Sequence, residues 1–433
     1  MKQLFLIADS AKYEGKEVQI RGWIYNKRSS GGLIFLHVRD GSGFIQVTAI
    51  KDKVIDTVFK AVSECTLESS AEITGILKKE PRAPGGYEVI LHNFNLVHKA
   101  TDEFPIGKKD HGPDFLLSNR HLWIRSSRQW AILRIRNTIE RYIQDYYREN
   151  HFIRLDTPMV TPSACEGTTT LFELDYFGEK AYLSQSGQLY LEAAIASFGR
   201  CYDFSPVLRA EKSKTRRHLI EFWMTNAEAA FVNFEENMDI QESMIKYILS
   251  HILSDNASEF AILKRDTTIL KKTIQTPFLR ITFKDAVDVL RKLGSDMTYD
   301  TDFGNDDETL LMNHFEVPVF ITHYPAHVKA FYCRRYVRDE TVALSADLLA
   351  PEGYGEIIGG GEREADYSKL LKRIQEHKYA IHDYQWYIDL RKYGSVPHSG
   401  FGLGIERFLA WVCKLDHVRE TIAFPRMLDR FWP

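Results

Sequence analysis

Arginine and carboxylate side chains recur in this sequence where a turn or a glycine run would bring them into a cleft. The stretch SPVLRAEKSKTRRHLIEFWMTNAEAAF (205–231) carries Arg209 and Glu211 at the end of one strand-like run. A charged loop follows, then a second run with Glu221, Phe222 and Glu228. GSVPHSGFGLGIERFLAWV (394–412) is a glycine-rich strand entering a helix that begins with Glu406 and Arg407. ADLLAPEGYGEIIGGGERE (346–364) sets Asp347 and Glu356 before a glycine turn and Arg363 after it. A guanidinium holds two oxygens of a phosphate or carboxylate at once, and carboxylates are the hard oxygen ligands that magnesium requires. A further run, FIRLDTPMVTPS (152–163), is strand-like but interrupted by Pro158 and Pro162. Singly these patterns have plain structural readings: a strand proline marks an edge or bulge, Arg and Glu on adjacent strands form a surface pair, and GLGIER suits a closely packed helix start. No GxxxxGK[ST] run occurs, so phosphate is not cradled in that manner.

The elements that must carry these residues fall into two domains, as 433 residues require. Residues 17–26 alternate, with Val18, Ile20, Gly22 and Ile24 on one side. Gly31-Gly32 turns into a strand at 33–40, and Gly41 and Gly43 into another at 44–50; 51–65 shifts to helical spacing through Val54, Val58 and Val62. Strand-like runs at 70–77 and 87–94 flank the turn PRAPGG. Three strands, a helix and two strands is the order of an OB-fold, a small barrel that binds oligonucleotides on one face or stands without a ligand. Residues 101–126 are polar and proline-marked, as a linker is. From 127 to 433 strands and helices mix in one α+β domain without internal repeat, starting with a helix at 127–150 whose buried face is Trp130, Leu133, Ile139, Tyr142, Ile143 and Tyr146. The acidic run 300–308 reads as a surface insertion, and Pro325 between His323 and His327 disfavours a zinc-binding helix there.

Composition sets the class. Hydrophobic content of 44% with 27% charged residues is that of a globular protein. No apolar run approaches the roughly 18 residues a membrane span needs, and the apolar start is too short for a secretory leader. Five scattered cysteines form no CxxC pair, so a disulfide framework is not expected and a reducing cytoplasm fits. The net charge of −3 excludes a generic nucleic-acid coat protein. It leaves open local basic faces such as Lys27-Arg28, Lys78-Lys79 and Lys212 to His218, which are otherwise solvated surface.

Taken in order behind an OB-like domain, the proline-bearing strand, the Arg/Glu strand–loop–strand and the Gly-x-Gly-x-Glu-Arg run resemble motifs 1, 2 and 3 of class II aminoacyl-tRNA synthetases. Within them the chain resembles the aspartyl/asparaginyl branch over nearly its whole length. RHLWIRS (120–126), CEGTTTLF (165–172), YLSQSGQLYLEAA (182–194), EIIGGGERE (356–364) and WYIDLRKYGSVPHSGFGLGIER (386–407) carry that likeness. It implies ATP-dependent formation of an aminoacyl-adenylate, in-line attack of a carboxylate on the α-phosphate, where fixed cations matter more than proton transfer. Arg209, Glu211 and Arg407 are then the catalytic set: Arg209 on the α-phosphate, Arg217 and His218 on the β- and γ-phosphates, Arg407 on the γ-phosphate and one adenine face, Phe222 on the other. Ala210, Leu219, Gly404, Ile405 and Glu406 complete the implied ATP site. Glu356 binds magnesium, Mg2+, with Asp347 nearby; Gly359 stands where aspartyl relatives often carry a serine ligand.

The same likeness implies the amino acid. Glu166 and Gln188 match residues that hold the α-ammonium and nearby backbone, and Arg363 matches the arginine aimed at the side-chain carbonyl oxygen. The run Gln188-Leu189-Tyr190-Leu191 has leucine where aspartyl enzymes have a lysine, which favours asparagine, since a buried lysine facing an amide is an unpaired charge costing roughly 3–5 kcal/mol. Asn226 departs from the branch, many members of which have glutamate there. The rivals are an aspartate–tRNA ligase, including one that serves two tRNAs, an ammonia-dependent asparagine synthetase, which would lack the anticodon module, and a binding-only paralogue. For tRNA-Asn, Phe35 is expected to stack on the central anticodon base and Gln46 to read its edge, with Arg21 nearby; strand alternation alone equally makes Phe35 core. Motif 1 implies a homodimer.

Overall fold

The computed structural model describes residues 5–107, 109–166 and 170–433. Its contacts divide the chain into two units, Met1–His111 and Gly112–Pro433.

In the first unit the alternating runs form β1 (Glu17–Ser30), β2 (Leu33–Arg39), β3 (Phe44–Ile50), β4 (Ser70–Lys79) and β5 (Tyr87–His98), with α1 (Asp56–Glu64) after β3. They close a barrel in the order β1-β2-β3-β5-β4. Closure rests on one parallel pair, β3 with β5; the other neighbours are antiparallel. Ile20, Ile24, Leu36, Val38, Val47, Ile73 and Val89 fill the interior, as period-2 alternation requires. Two glycines permit the close crossings: a Cβ on Gly22 would stand 2.2 Å from the Arg39 carbonyl oxygen, and one on Gly75 2.1 Å from that of Ile90.

The second unit opens with α2 (Pro113–Ser118), α3 (Arg120–Trp123) and α4 (Ser127–Glu149). Residues 113–123, expected as linker, are thus helical and anchored. Leu117, Arg120 and Trp123 are buried, and the Arg120 guanidinium donates to Gln129 Oε1 at 2.8 Å and to the carbonyls of Ile422 and Ala423. Burial pushes that guanidinium down to about 10. The buried face of α4 is Ile132, Ile135, Ile139, Ile143, Tyr146 and Tyr147. Trp130, Leu133 and Tyr142, expected on it, are half-buried; Trp130 lies under the Arg134 guanidinium and Tyr142 against His251.

Next come β6 (Ile153–Arg154), β7 (Val160–Thr161), β8 (Glu173–Tyr176), β9 (Glu179–Leu183), α5 (Gln188–Phe198), β10 (Arg200–Tyr202), β11 (Ser205–Leu208) and β12 (Glu221–Ala230). The helices α6 (Phe234–Asp255), α7 (Ala257–Leu263) and α8 (Thr268–Gln275) follow, then β13 (Leu279–Thr282), α9 (Phe283–Lys292), α10 (Asn305–His314), β14 (Val319–Pro325), β15 (Arg335–Tyr336), β16 (Asp339–Ala350) and β17 (Gly355–Glu362). The chain ends through α11 (Tyr367–Glu376), α12 (Gln385–Asp389), β18 (His398–Gly404) and α13 (Ile405–Cys413). The large sheet runs β13-β14-β16-β17-β18-β12-β10-β6, with β11 beside β12 and β15 beside β16; β7, β9 and β8 form a smaller sheet. The buried faces of α4, α6 and α13 cover one side of it, through Ile139, Ile143, Ile245, Ile248, Phe408 and Trp411. A capping box starts α6: Asn233 Oδ1 accepts from the Glu236 amide at 3.0 Å, and Glu236 Oε2 from the Asn233 amide at 2.9 Å. No helix among the described residues is long and apolar enough to cross a membrane.

Leu36→Ala empties the centre of the barrel and is expected to cost about 2–5 kcal/mol, whereas Ile55→Ala, at an exposed position, stays within about 0.5 kcal/mol. Urea unfolding followed by circular dichroism checks both.

Candidate active site

The uncovered side of the large sheet bears a cavity of about 450 Å³. Register brings its parts together: Asn226 and Glu228 of β12 lie opposite Gly402 and Gly400 of β18, and those glycines lie opposite Gly359 and Gly361 of β17.

At one end stand the residues of the charged loop. Arg209, just past β11, has its guanidinium 5.5 Å from the Phe222 ring and 3.9 Å from Glu166 Oε1; its Nε is buried without a hydrogen-bond partner among the described residues. Ala210 donates its amide to the Thr170 carbonyl. His218 Nε2 lies 3.1 Å from Glu211 Oε2, and this hydrogen bond is the main cause holding the Glu211 carboxyl below its usual range. Arg217 is buried rather than projecting freely: Nη1 donates to Glu308 Oε2 at 2.6 Å, and Nη2 to Thr309 Oγ1 and the Gly353 carbonyl, each at 2.6 Å. Burial lowers it to about 10. The acidic run 300–308 is at the surface, as expected, with Asp300, Thr301, Asp302, Gly304 and Asp306 exposed, but it is more than a solvated insertion, because Asp302, Phe303 and Glu308 line the cavity.

From α13, Arg407 Nη1 donates to Glu356 Oε2 at 2.9 Å. Glu406 also lines the cavity, but its carboxylate is engaged by the fold. Its carboxylate accepts from Arg136 Nη1 at 2.6 Å and from the Trp223 amide at 3.0 Å, which ties α13 to α4 and β12. Gly404 lines the cavity; Leu219 lines it while packed in the core, and Ile405 is wholly core. The Asp347 and Glu356 carboxylates converge over Gly359, where a Cβ would stand 3.7 Å from Asp347 Oδ1 and 3.1 Å from Glu356 Oε1. A carboxylate oxygen beside bare backbone, as at Glu356, is a donor that a magnesium ion accepts. Burial raises the Asp347 carboxyl to about 7 against the pull of Lys329, whose Nζ donates to Asp347 Oδ2 at 2.6 Å.

At the other end Arg363 meets Glu228, with Nη2 donating to Oε1 at 2.6 Å and Nε at 3.1 Å. Both are buried, and burial pushes the Glu228 carboxyl up to about 7 although Arg363 pulls it down and Glu192 adds to the rise. Gln188 Nε2 donates to Glu192 Oε1 at 3.1 Å. Glu192 in turn accepts from Arg391, from Tyr387 Oη and from the His398 ring. Burial raises the Glu192 carboxyl, but Arg391 and His398 outweigh it and hold it low. Tyr332 Oη donates to Glu166 Oε1 at 3.2 Å. Asn226 Nδ2 donates to Asp203 Oδ1 at 2.9 Å while its Oδ1 accepts from Ser186.

The chain matches the family described as tRNA synthetases class II (D, K and N) over residues 112–428, and the OB-fold nucleic acid binding domain over 18–97. It is 52% identical to the asparagine–tRNA ligase of Desulforamulus reducens, over 99% of both chains. It superposes on the asparaginyl-tRNA synthetase of Pyrococcus horikoshii complexed with asparaginyl-adenylate with a TM-score of 0.95 at 41% identity, covering 100% of each chain. The asparaginyl-tRNA synthetase of Entamoeba histolytica, also with asparaginyl-adenylate, gives 0.90 at 32% identity over 100% of each. The chain belongs to the asparagine–tRNA ligases of class II.

In this synthetase the structure separates several residues that the sequence motifs grouped. None of Leu189, Tyr190 and Leu191 lines the cavity. Leu191 packs with Ile195 and Cys201, Leu189 sits in a separate apolar cluster, and Tyr190 stacks on Trp386, because successive α5 side chains after Gln188 turn into the core. Residues 167–169 of CEGTTTLF lie outside the described residues. On the barrel, Phe35 is half-buried on the outer face, with the Arg28 guanidinium 4.8 Å from its ring, so it is not core. Gln46 and Thr48 both donate to Glu88 Oε2, at 3.2 and 2.7 Å, and Arg21 pairs with Glu72 at 3.0 Å. Glu88, Lys329 and Glu192 have no local signal in the sequence, while Arg28 stands out there only as part of a basic face and Glu308 only as the end of an acidic run. Their signal is cross-strand register or long-range pairing, which local pattern does not carry.

Arg391→Ala is expected to destabilise the synthetase by about 3–5 kcal/mol, because the buried Glu192 loses the guanidinium that does most to hold it charged. The urea midpoint checks it, and a loss below about 1 kcal/mol would refute the pairing argument.

Proposed function

We propose that the chain joins asparagine to tRNA-Asn in two steps in one cavity. An oxygen of the asparagine carboxylate attacks the α-phosphorus of ATP and pyrophosphate leaves. A hydroxyl of the tRNA's terminal ribose then displaces AMP from the adenylate. The observation that carries this reading is the polarity of the cavity: Arg209 and Arg407 at one end with exchangeable partners, and the buried Arg363–Glu228 pair at the other. The relatives' activity and the adenylate held by two solved relatives support it.

On this assignment Arg209 and Arg407 neutralise charge on the phosphates, and Phe222 stacks on adenine. Glu211 orients His218 toward the same end. Glu356 would hold magnesium with Asp347 beside it, and the ion supplies further charge neutralisation at the phosphates. Arg363 receives the side-chain carbonyl of asparagine, Glu166 and Gln188 the α-ammonium, and Glu228 keeps Arg363 aimed. Phe35, Gln46 and Arg21 meet the anticodon, with Arg28 and Glu88 on the same face of the barrel. A homodimer through the motif 1 region is supported by apolar residues exposed in that segment, Ile153 at 46% and Val160 at 38%. Five free, buried cysteines suit a reducing cytoplasm.

ATP–pyrophosphate exchange with asparagine, aspartate and lysine in separate assays tests the reading. Exchange with asparagine alone is expected, and exchange with aspartate would overturn the substrate. Arg209→Ala is expected to abolish exchange without loss of fold. Phe35→Ala is expected to weaken tRNA charging, by about 1–3 kcal/mol for the lost stack, and to leave exchange nearly unchanged; equal loss of both would contradict the division of labour.

The buried Glu228 adds a pH dependence. A carboxyl raised to about 7 takes up a proton as the pH falls below that value, and its hold on Arg363 weakens. The KM for asparagine is therefore expected to rise between pH 8 and about 6, while Glu228→Gln has a raised KM that is flat over this range. A parallel pH profile in the two proteins would rule Glu228 out as the titrating group.

A further inference from the structure

The two carboxylates that converge over Gly359 are not equally available to a metal ion. Lys329, which follows β14, donates from Nζ to Asp347 Oδ2 at 2.6 Å. The same nitrogen lies 3.5 Å from Asp302 Oδ2 and 3.7 Å from the centroid of the Tyr324 ring. Two carboxylates and an aromatic face therefore hold the ammonium from three directions, and its side chain is only 14% exposed. Glu356 is differently placed. Its partner Arg407 is 29% exposed, and the guanidinium can turn toward a phosphate and release the carboxylate. Lys329 is less free to move: if it left Asp347 it would keep only Asp302 and the Tyr324 ring and would leave the Asp347 carboxylate buried without its cation. Magnesium needs bare oxygens in near-octahedral array. A second cation on Asp347 would face the ammonium across one carboxylate group.

We propose that Lys329 is a resident cation that takes the place of a metal ion at Asp347. Asp347 is a positioning residue for the ammonium, the ammonium is a fixed positive charge on the cavity wall, and Glu356 is the one carboxylate of the pair that binds a divalent cation. The inference rests on the ATP reading of this cavity and deepens it. Two consequences separate it from a two-carboxylate metal site. Neutralising Lys329 and Asp347 together leaves metal binding intact, because neither is a ligand. Neutralising Lys329 alone creates a new site, because Asp347 is then free.

Mn2+ retention by the full-length protein, saturated with ATP and without asparagine, tests this by electron paramagnetic resonance. The double variant Lys329→Met/Asp347→Asn is expected to hold Mn2+ within about twofold of the parent, while Glu356→Gln weakens it about tenfold or more. Lys329→Met alone is expected to gain about one Mn2+ per chain, a gain that the double variant lacks. A double variant weakened as much as Glu356→Gln, or a folded Lys329→Met with no added ion, overturns the assignment. Should Lys329→Met fail to fold, the charge-balanced double variant decides alone. A parent protein that does not hold Mn2+ and ATP together would overturn the ATP reading itself, and the assignment with it, whatever the variants do.

Discussion

Arg209, Arg217, Lys329, Arg363 and Arg407 line one cavity of about 450 Å³, and a buried cation without a partner costs several kcal/mol. The fold must therefore supply a carboxylate to each. It does so with Glu166 from a loop, Glu308 from α10, and Asp347, Glu228 and Glu356 from the sheet, respectively. These partners come from different elements, so the order of strands in the sheet is a condition for charge balance as much as for packing. The pairs also differ in depth. Arg363 and Glu228 are out of reach of water, whereas the side chains of Arg209, Glu166, Arg407 and Glu356 are about a quarter to a third exposed. An exposed pair exchanges partners at little cost, and a buried one does not. The phosphate end of the cavity can thus be rebuilt around a polyanion while the amino-acid end stays rigid.

The glycines of β17 and β18 make that arrangement possible. A Cβ on Gly400 would stand 2.0 Å from Glu228 Oε1, so only a bare strand lets the carboxylate lie flat beneath Arg363. The second carboxylate, Glu192, is kept in place by Arg391, Tyr387 and His398 and presents Gln188 to the cavity. Together these contacts fix the geometry of the amino-acid end before any substrate arrives, which lowers the cost of binding.

Much of this was legible in the sequence because it is local. The barrel strands alternate with period 2, the three motif segments carry their own glycines and prolines, and Arg209, Glu356, Arg363 and Arg407 fall in the cavity as their motifs imply. What escaped notice depends on distant pairing. The run 300–308 looks like solvated acid until Arg217 is seen to need Glu308. Residues 113–123 look like linker until Arg120 is seen to hold the carbonyls of Ile422 and Ala423, some three hundred residues away. Leu191 looked like a substrate contact because it stands in the motif, but the turn of α5 carries its side chain into the core.

With Leu191 removed from the cavity wall, the preference for an amide over an acid needs another cause, and the Arg363–Glu228 pair supplies one. A lone arginine would favour aspartate, since its charge would be unbalanced without a carboxylate. Here that charge is already met by the Glu228 carboxylate, which accepts hydrogen bonds from Arg363 Nε and Nη2. A second carboxylate entering beside the pair would bring an uncompensated negative charge into a water-poor site, at a cost of roughly 3–5 kcal/mol, or about two to nearly four orders of magnitude in binding. An amide brings none. Asn226 is consistent with this: its side chain donates to Asp203 and accepts from Ser186, and its uncharged amide cannot offset an acid. On the proposed assignment, selectivity lies in the neutrality of the amino-acid end and so does not require a lysine-to-leucine change to make direct contact with the substrate.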